Sequence, residues 1–305
     1  MRILILGNSN IFQRKIYPAL HKIKNLKLEL ASKRLIGNNM KIDKLYNSYS
    51  VAIKETTARV VYISLVNSQH YLWAIKSLKN NKHVIIDKPI TLNFNHTKKL
   101  IDIARKKKLF ISEAIVFNKH ASFKKMYSKI NLRNKTKIFC KFHIPKLEKE
   151  NFRNFNKYGG GCFHDMSPYA SSLINLFFPN TKYTLIYNIK KNKKKVVNSL
   201  ELKVTAKNTY LEASFSFDSI YKNQIEIHNQ NKKYFLNYVF SPPINKLVKL
   251  NVYEADSKKK YDVIFPKQNI FYTYFKQIFR IIRNKKYNYF YNEIETIAKI
   301  KKKIS

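Results

Sequence analysis

The segment KYGGGCFHDMSPY, residues 157–169, places a carboxylate and a phenol at a spacing that allows joint chemistry. The chain has only five glycines in 305 residues, and three of them stand together here at positions 159–161. Asp165 and Tyr169 follow, and their i, i+4 spacing puts both side chains on the same side of a helix. A carboxylate can hold a hydroxyl group, and a phenol can supply a proton. The spacing alone also fits a core or surface tyrosine, because the chain has 21 tyrosines.

A second reactive group, Lys88, follows the apolar run HVIID of residues 83–87. Pro89 ends that run and fixes the turn, so the lysine is held at the end of a buried strand instead of trailing into solvent. Ligands of open α/β sheets bind outside the carboxyl ends of the strands. A surface lysine is the alternative interpretation in so basic a chain.

The N-terminal segment ILILGNSNIF, residues 3–12, has the order strand, glycine, helix that begins a dinucleotide-binding fold. Such a turn needs its first glycine, and the helix N terminus meets the pyrophosphate. Gly7 supplies that glycine, whereas Ser9 and Phe12 occupy the positions of the other two. An ordinary strand-helix turn is the alternative, and Phe12 is large for a position where a helix packs on a strand.

The end of the second apolar run bears on the choice of cofactor. NAD-binding folds usually carry an acid there for the ribose hydroxyls, whereas NADP is met by hydroxyl and basic residues. This chain has Ser32, Lys33 and Arg34 at that point, and no acid. The segment predicts NADP(H) in preference to NAD(H).

The elements that must position these residues alternate over the first 115 residues. Short apolar runs, typical of strands, lie between stretches with helical spacing of apolar residues, which indicates βαβ units and a parallel sheet. The predicted strands are residues 3–6, 26–31, 60–66, 83–87 and 109–114, and the predicted helices are residues 12–23, 71–79 and 96–107. We predict a Rossmann domain over residues 1–118.

The pattern changes after residue 118. A helical stretch and one strand precede the glycine triplet, which opens a helix, and seven runs of alternating character then indicate an antiparallel sheet. Two helical stretches, residues 270–283 and 292–302, close the chain. We predict an α+β domain with an open, mainly antiparallel sheet over residues 119–305, and an α/β fold class for the whole.

The run from residue 61 to residue 114 resembles the core of the Gfo/Idh/MocA oxidoreductases. The family pattern of a strand, an Asn, a His three residues later, a helix and an acid-Lys-Pro triplet is similar to Asn67, His70 and the segment 87–89. The glycine triplet with Asp165 and Tyr169 resembles the family's second signature. The Tyr, the segment PAL at 18–20 and the segment FHIPKLEKENFRNF at 142–155 are most similar to nucleotide-sugar 3-ketoreductases and dihydrodiol dehydrogenases.

This resemblance implies a nicotinamide cofactor in the N-terminal domain and no metal. The C-terminal domain is then expected to bind substrate and to pair subunits through its sheet, in a homodimer or homotetramer. The residues expected to contact the cofactor are Gly7, Ser9, Asn10, Ile11, Ser32, Lys33, Arg34, Asn67, His70, Asp87 and Lys88.

The resemblance also implies hydride transfer between the cofactor and the carbonyl or hydroxyl group of a sugar or sugar nucleotide. Reduction of a ketone leaves an alkoxide, to which Tyr169 would supply a proton. A phenol has a pKa of about 10, which is high for proton transfer at neutral pH. The Lys88 ammonium would lower the pKa of Tyr169. Asp165 would hold a sugar hydroxyl, and Arg153 a substrate carboxylate or phosphate. The glycine triplet would leave room for close approach of substrate and backbone.

The charge of the chain suggests a different class of function. Sixty Lys and Arg against 18 Asp and Glu give a net charge of +42, which would attract nucleic acid. The basic runs are scattered and carry few aromatic residues between them, so we favour solvated faces and predict no specific nucleic-acid partner. A catalytically silent binding or regulatory protein that keeps the fold is the other alternative.

The remaining composition predicts a cytoplasmic protein. Two cysteines, Cys140 and Cys162, form neither a disulfide framework nor a zinc site, and they fit a reducing compartment. The first apolar run has only four residues before Gly7, which is short for a signal peptide. No run approaches the roughly 18 apolar residues of a membrane span.

Overall fold

A computed structural model describes residues 1–33 and 40–304, which fall into two compact units. The first unit holds residues 1–114 and 271–303, and the second holds residues 115–270 with Ile304. The sequence predicted a change at residue 118 and a single C-terminal domain from 119 to 305. The structure differs because the two C-terminal helices join the first unit.

Aromatic side chains attach these helices, α7 (Ile270–Asn284) and α8 (Asn288–Ile304), to the first unit. The Tyr274 hydroxyl lies 2.6 Å from Ser112 Oγ, and the Tyr291 hydroxyl donates to the Leu109 carbonyl at 2.6 Å. The rings of Phe110 and Phe290 meet edge to face, with centroids 4.9 Å apart. Such pairs add to the stabilisation that burial of the rings already gives.

Six parallel strands form the sheet of the first unit, in the order β3-β2-β1-β4-β5-β6. This is the strand order of a Rossmann fold, and the predicted parallel sheet is confirmed. The central strands β1, β4 and β5 contain fully buried apolar residues at successive positions, as expected for strands covered on both faces. The strands are β1 (Arg2–Leu6), β2 (Lys27–Ala31), β3 (Lys44–Tyr46), β4 (Val60–Ile63), β5 (His83–Ile86) and β6 (Ile111–Glu113).

The helices of this unit follow the predicted stretches, with one addition. A π-helical turn (Phe12–Ile16) leads into α1 (Tyr17–His21). The helix α2 (Tyr49–Glu55) and the strand β3 were not predicted from the sequence. The other two helices are α3 (His70–Lys79) and α4 (Phe94–Lys106).

The second unit contains an eight-stranded sheet in the order β14-β13-β12-β11-β7-β10-β9-β8. All neighbouring strands are antiparallel except β7 and β10, which confirms the predicted open, mainly antiparallel sheet. The helices α5 (Ala121–Tyr127) and α6 (Cys162–Phe177) contact this sheet. The strands are β7 (Thr136–His143), β8 (Thr184–Lys191), β9 (Val197–Ala206), β10 (Thr209–Ser216), β11 (Lys222–Asn229), β12 (Lys232–Asn237), β13 (Val248–Glu254) and β14 (Lys259–Phe265).

Three features of composition also have a structural outcome. No helix within the described residues combines the length and apolar character needed to cross a bilayer. The same part of the chain holds no group of three His, Cys, Asp or Glu side chains placed to bind a metal ion. Cys140 and Cys162 are both buried and are not joined by a disulfide.

His83, at the start of β5, should make the stability of the first unit depend on pH. Its Nδ1 accepts a hydrogen bond from the Phe110 N–H at 2.9 Å, which requires an imidazole without a proton on that nitrogen. Burial, with a smaller contribution from Arg59, lowers the pKa of His83 to about 4. In the unfolded chain the pKa is about 6.5, so between these values the unfolded chain binds more protons than the folded one.

We therefore expect His83 to stabilise the fold fully above about pH 6.5 and to lose that contribution as the pH falls toward 4. Because the ring is partly exposed, we expect a loss of about 1–2 kcal/mol. Urea unfolding at several pH values between about 6.5 and 4 measures this loss of stability. His83→Asn keeps an acceptor near the Phe110 N–H but does not titrate. The unfolding free energy of this variant should therefore fall less with decreasing pH than that of wild type. An identical pH dependence in the two proteins would contradict the assignment.

Candidate active site

The first unit brings predicted cofactor residues to one edge of its sheet, together with Ser64, which was not predicted. Gly7 follows β1, Ser32 follows β2, Ser64 follows β4 and Asp87 follows β5. These four strands are neighbours in the order β2-β1-β4-β5, and all run in the same direction. Their carboxyl ends therefore meet at one edge, where α/β sheets bind ligands.

Gly7 forms a turn that any larger residue would obstruct. Its φ is +103°, and its N–H donates to the Ala31 carbonyl at 2.9 Å. A Cβ on Gly7 would lie 2.3 Å from the Ser64 carbonyl oxygen and 2.6 Å from the Leu65 side chain. The absence of a side chain thus lets the turn lie directly on the end of β4.

The helix that follows offers donors for an anion. Ser9 caps it, since Ser9 Oγ accepts from the Phe12 N–H at 3.1 Å. Asn10 and Ile11 form the exposed start of the helix, where backbone N–H groups have no acceptor within the helix. Such a terminus suits the pyrophosphate of a dinucleotide, so the residues present fit this cofactor.

Phe12, the departure from the glycine pattern, is fully buried and faces away from solvent. The turn that begins with it is π-helical, because the Tyr17 N–H donates to the Phe12 carbonyl five residues earlier. The two rings meet edge to face at 6.1 Å. The wider turn accompanies a large side chain packed in the core of the unit, and Asn10 and Ile11 remain exposed beside it.

The residues predicted to favour NADP(H) lie only partly within the described residues. Ser32 is buried and its N–H donates to the Tyr46 carbonyl at 3.0 Å, so β3 holds the end of β2 in place. Lys33 is exposed beside it. Arg34 lies outside the described residues.

Asp87 joins the turns at the ends of three strands. Its carboxylate accepts a hydrogen bond from the Tyr62 hydroxyl and one from Ser64 Oγ, the latter at 2.6 Å. Ser64 Oγ also lies 2.6 Å from Ser9 Oγ in the nucleotide turn. Burial raises the pKa of Asp87, although both hydrogen bonds act in the opposite direction. Both carboxylate oxygens are engaged within the unit, so the first role of Asp87 is to connect these turns.

His70 and Asn67, both expected to contact the cofactor, are buried. His70 is fully buried; its Nδ1 lies 2.7 Å from the Pro89 carbonyl and its Nε2 lies 3.0 Å from the Leu65 carbonyl. Burial lowers the pKa of His70, so at neutral pH the ring is neutral and donates from one nitrogen. His70 thus holds the turns after β4 and β5 together, and its contact with the cofactor stays a prediction.

Lys88 lies in the turn after β5 and is partly exposed. The backbone N–H groups of nearby residues in this turn are hydrogen-bonded. The Asp87 N–H donates to the Ile63 carbonyl at 3.0 Å. The Ile90 N–H donates to Glu113 Oε1 at 2.9 Å. Glu113 was not predicted as a site residue. The available signal was an acid within the apolar run LFISEA of residues 109–114.

In the second unit, the glycine triplet allows backbone to pack on backbone. A Cβ on Gly160 would lie 2.5 Å from the Arg153 carbonyl oxygen and 2.8 Å from that of Phe155. Gly161 has φ +93°, and its N–H donates to the Arg153 carbonyl at 2.8 Å. The triplet was expected to make room for substrate. In the structure its close neighbour is the turn that carries Arg153, while the predicted role of opening a helix is seen in α6.

This packing brings Arg153 and Asp165 together as an ion pair. Arg153 Nε lies 3.0 Å from Asp165 Oδ1, and the Asp165 side chain is only 10% exposed. Asp165 lies in the first turn of α6, where the helix dipole favours a negative charge. The sequence named both residues as separate substrate ligands, whereas the structure shows that each also positions the other.

Tyr169 lies one turn further along α6 among three phenylalanine rings. Its ring centroid is 4.9 Å from that of Phe240, 5.6 Å from that of Phe142 and 6.0 Å from that of Phe117. All three are buried, whereas Tyr169 is partly exposed. The surrounding rings limit the orientations that the phenol can adopt.

Comparison with known proteins gives a family match for the N-terminal part of the chain. Residues 1–114 match the model of an oxidoreductase family with an NAD-binding Rossmann fold, Gfo/Idh/MocA. This match covers only the N-terminal part of the chain, and it agrees with the resemblance found in the sequence. The resemblance predicted from residues 61–114 is thereby confirmed.

Individual relatives agree with the subgroup predicted from the sequence. The chain is 21% identical over 253 residues to a dTDP-3,4-didehydro-2,6-dideoxy-alpha-D-glucose 3-reductase of Actinomadura kijaniata, covering 80% of this chain and 76% of the reductase. It is 26% identical over 150 residues to a trans-1,2-dihydrobenzene-1,2-diol dehydrogenase of Xenopus laevis, covering 46% of this chain and only 43% of that protein.

A solved structure extends the match in fold to the whole chain. The 3-ketoreductase KijD10 of Actinomadura kijaniata, crystallised with NADP and TDP-benzene, has a TM-score of 0.90 at 18% identity. The match covers 100% of this chain and 96% of KijD10. The likeness shows that each unit has the fold of the matching part of KijD10.

Proposed function

We propose that this protein is an NADP(H)-dependent oxidoreductase that transfers hydride to or from the carbonyl or hydroxyl carbon of a sugar nucleotide. The observation that carries the proposal is the order on α6 of a glycine turn, an ion-paired Asp165 and, one turn later, the caged Tyr169. The relatives that reduce or oxidise sugars and diols support it. A sugar nucleotide is favoured because the longest of these matches is to a dTDP-sugar reductase.

A nicotinamide cofactor, held at the turn of Gly7, Asn10 and Ile11, would supply or accept the hydride. Tyr169 donates its hydroxyl proton to the alkoxide that forms on reduction and takes it back on oxidation. The family resemblance implies that Lys88 supplies an ammonium that favours the phenolate. The phenylalanine cage holds the Tyr169 ring in the orientation that the transfer requires.

Asp165 and Arg153 are proposed to hold the substrate as a pair. The carboxylate of Asp165 would accept a hydrogen bond from a sugar hydroxyl while Arg153 Nε fixes its position at 3.0 Å. The two terminal nitrogens of the guanidinium are the groups that would meet a substrate phosphate, because planar N–H pairs suit its oxygens.

The finer assignments rest on fewer observations. We propose NADP(H) over NAD(H) because Ser32 and Lys33 follow β2 and no acid stands there. We propose a homodimer or homotetramer because the family resemblance implies pairing through the open sheet. A cytoplasmic location is proposed because Cys140 and Cys162 form no disulfide.

Fluorescence titration of the purified protein with NADPH and NADH, at low and at near-physiological salt, tests the cofactor site. We expect saturable binding that persists at the higher salt and is tighter for NADPH. Binding that disappears with salt would mean only that a chain of charge +42 attracts phosphates. That outcome would favour a catalytically silent homologue and remove the basis for the enzyme.

A further inference from the structure

The turn that carries Lys88 is held on both sides by side chains from distant parts of the first unit. Before the lysine, Asp87 is bound by Tyr62 and Ser64. After it, His70 contacts the Pro89 carbonyl, and two charged residues contact the next two residues of the backbone. These two, Glu113 and Lys301, belong to β6 and to α8, which lie far apart in the sequence.

Glu113 is a buried carboxylate that contacts the turn directly. It is 9% exposed, and its Oε1 accepts from the Ile90 N–H at 2.9 Å. Burial raises the pKa of Glu113, and the ammonium of Lys301 has the largest opposing effect, ahead of Lys88. A carboxylate in such a place is retained as a charge only when an opposite charge is near.

Lys301 provides that charge from the last helix. Its Nζ donates to the Thr91 carbonyl at 3.1 Å, next to the residue whose N–H meets Glu113. It is the first of three consecutive lysines, and unlike Lys302 and Lys303 it is not exposed to solvent along its length. Burial lowers the pKa of Lys301 to about 8, and Glu113 acts in the opposite direction.

We propose that Glu113 and Lys301 form an ion pair that positions the Lys88 turn, so that the C-terminal helix takes part in presenting the catalytic lysine. The inference rests on the proposed function in that it takes Lys88 as catalytic. Glu113 fixes the N–H of Ile90 and Lys301 fixes the carbonyl of Thr91, while their charges balance each other. Both act as positioning residues, through the backbone of the turn.

Lys301→Met tests the pair, because methionine keeps the length of the side chain and removes the charge and the donor. Lys303→Met, on an exposed lysine of the same helix, is the matched control. We expect Lys301→Met to lower kcat at least tenfold with the Kd for NADPH within twofold of wild type, and the control to change neither. A KM for the sugar substrate that stays within threefold would place the loss in the chemical step.

Amide hydrogen exchange at Ile90 gives a second readout that needs no turnover. We expect exchange at least tenfold faster in Lys301→Met than in wild type or Lys303→Met, with the amides of β4 and β5 unchanged. Glu113→Gln retains an oxygen for the Ile90 N–H but cannot balance Lys301, so it should reproduce the loss of kcat; it carries the test if Lys301→Met does not fold.

The outcomes separate this inference from the proposed function. Faster exchange with unchanged kcat would overturn the positioning role, as would unchanged exchange in both variants. A wild-type protein that reduces no keto sugar would refute the proposed function, and the exchange of Ile90 would still decide whether the pair holds the turn.

Discussion

Tyr169→Phe should lower kcat for reduction of a keto sugar nucleotide by roughly 10²–10⁴-fold, the usual contribution of a general acid. The substitution removes only the hydroxyl, so the ring should keep its contacts with Phe142 and Phe240 and the fold should be unaffected. The Kd for NADPH, which we assign to the nucleotide turn, should stay within about twofold of wild type.

The matched control is Tyr187→Phe, which removes the same hydroxyl from an exposed position on β8 of the same unit. Its kcat and unfolding midpoint should match those of wild type. Steady-state kinetics with NADPH and a panel of keto sugar nucleotides make the measurement. If Tyr169→Phe retained kcat within threefold, the phenol would not be the proton donor and the solvent or another side chain would have to supply the proton.

The strands of the first unit could be predicted because their sequence leaves little choice. In β1, β4 and β5 every interior residue is apolar, since both faces of the sheet are covered. β3 is different: it has three residues, of which only Tyr46 is buried. So short and exposed a strand has no pattern that distinguishes it from a loop, and it was missed together with α2.

The unit to which α7 and α8 belong could not be predicted from the sequence, for another reason. Their apolar spacing predicts a helix with one buried side, but it does not say which surface covers that side. The contacts that decide it join Tyr274 to Ser112 and Tyr291 to Leu109, more than 150 residues away. Only the folded chain shows that the C terminus belongs with the nucleotide-binding sheet.

The candidate site could likewise be predicted from the sequence only in part. Order along the chain predicted that residues after β1, β2, β4 and β5 would gather at one edge, because parallel strands share a direction. It did not predict the partners that these side chains have within the first unit. His70 and Asp87 bear groups that could touch a cofactor, yet their partners are Pro89, Ser64 and Tyr62. A side chain's role depends on partners that spacing does not reveal.

Gly7→Ala should weaken NADPH binding by about 100-fold and destabilise the first unit. The added Cβ would lie 2.3 Å from the Ser64 carbonyl oxygen, which is backbone and cannot rotate away. At φ +103° an alanine is also strained. Overpacking and backbone strain each cost about 1–3 kcal/mol, so a loss of about 2–6 kcal/mol is expected.

Other substitutions can also lower stability, but the loss of NADPH affinity should be specific to Gly7→Ala. The turn that must move carries the start of the helix with Asn10 and Ile11. Asn81→Ala is the control: Asn81 also has a positive φ, of 57°, but it precedes β5, at the end of the sheet opposite the nucleotide turn. It should cost about 1 kcal/mol and leave the Kd for NADPH unchanged. If NADPH bound Gly7→Ala as tightly as wild type, the dinucleotide would have to bind elsewhere, since no shift of the turn can relieve the contact with Ser64 and also leave the helix N terminus in place.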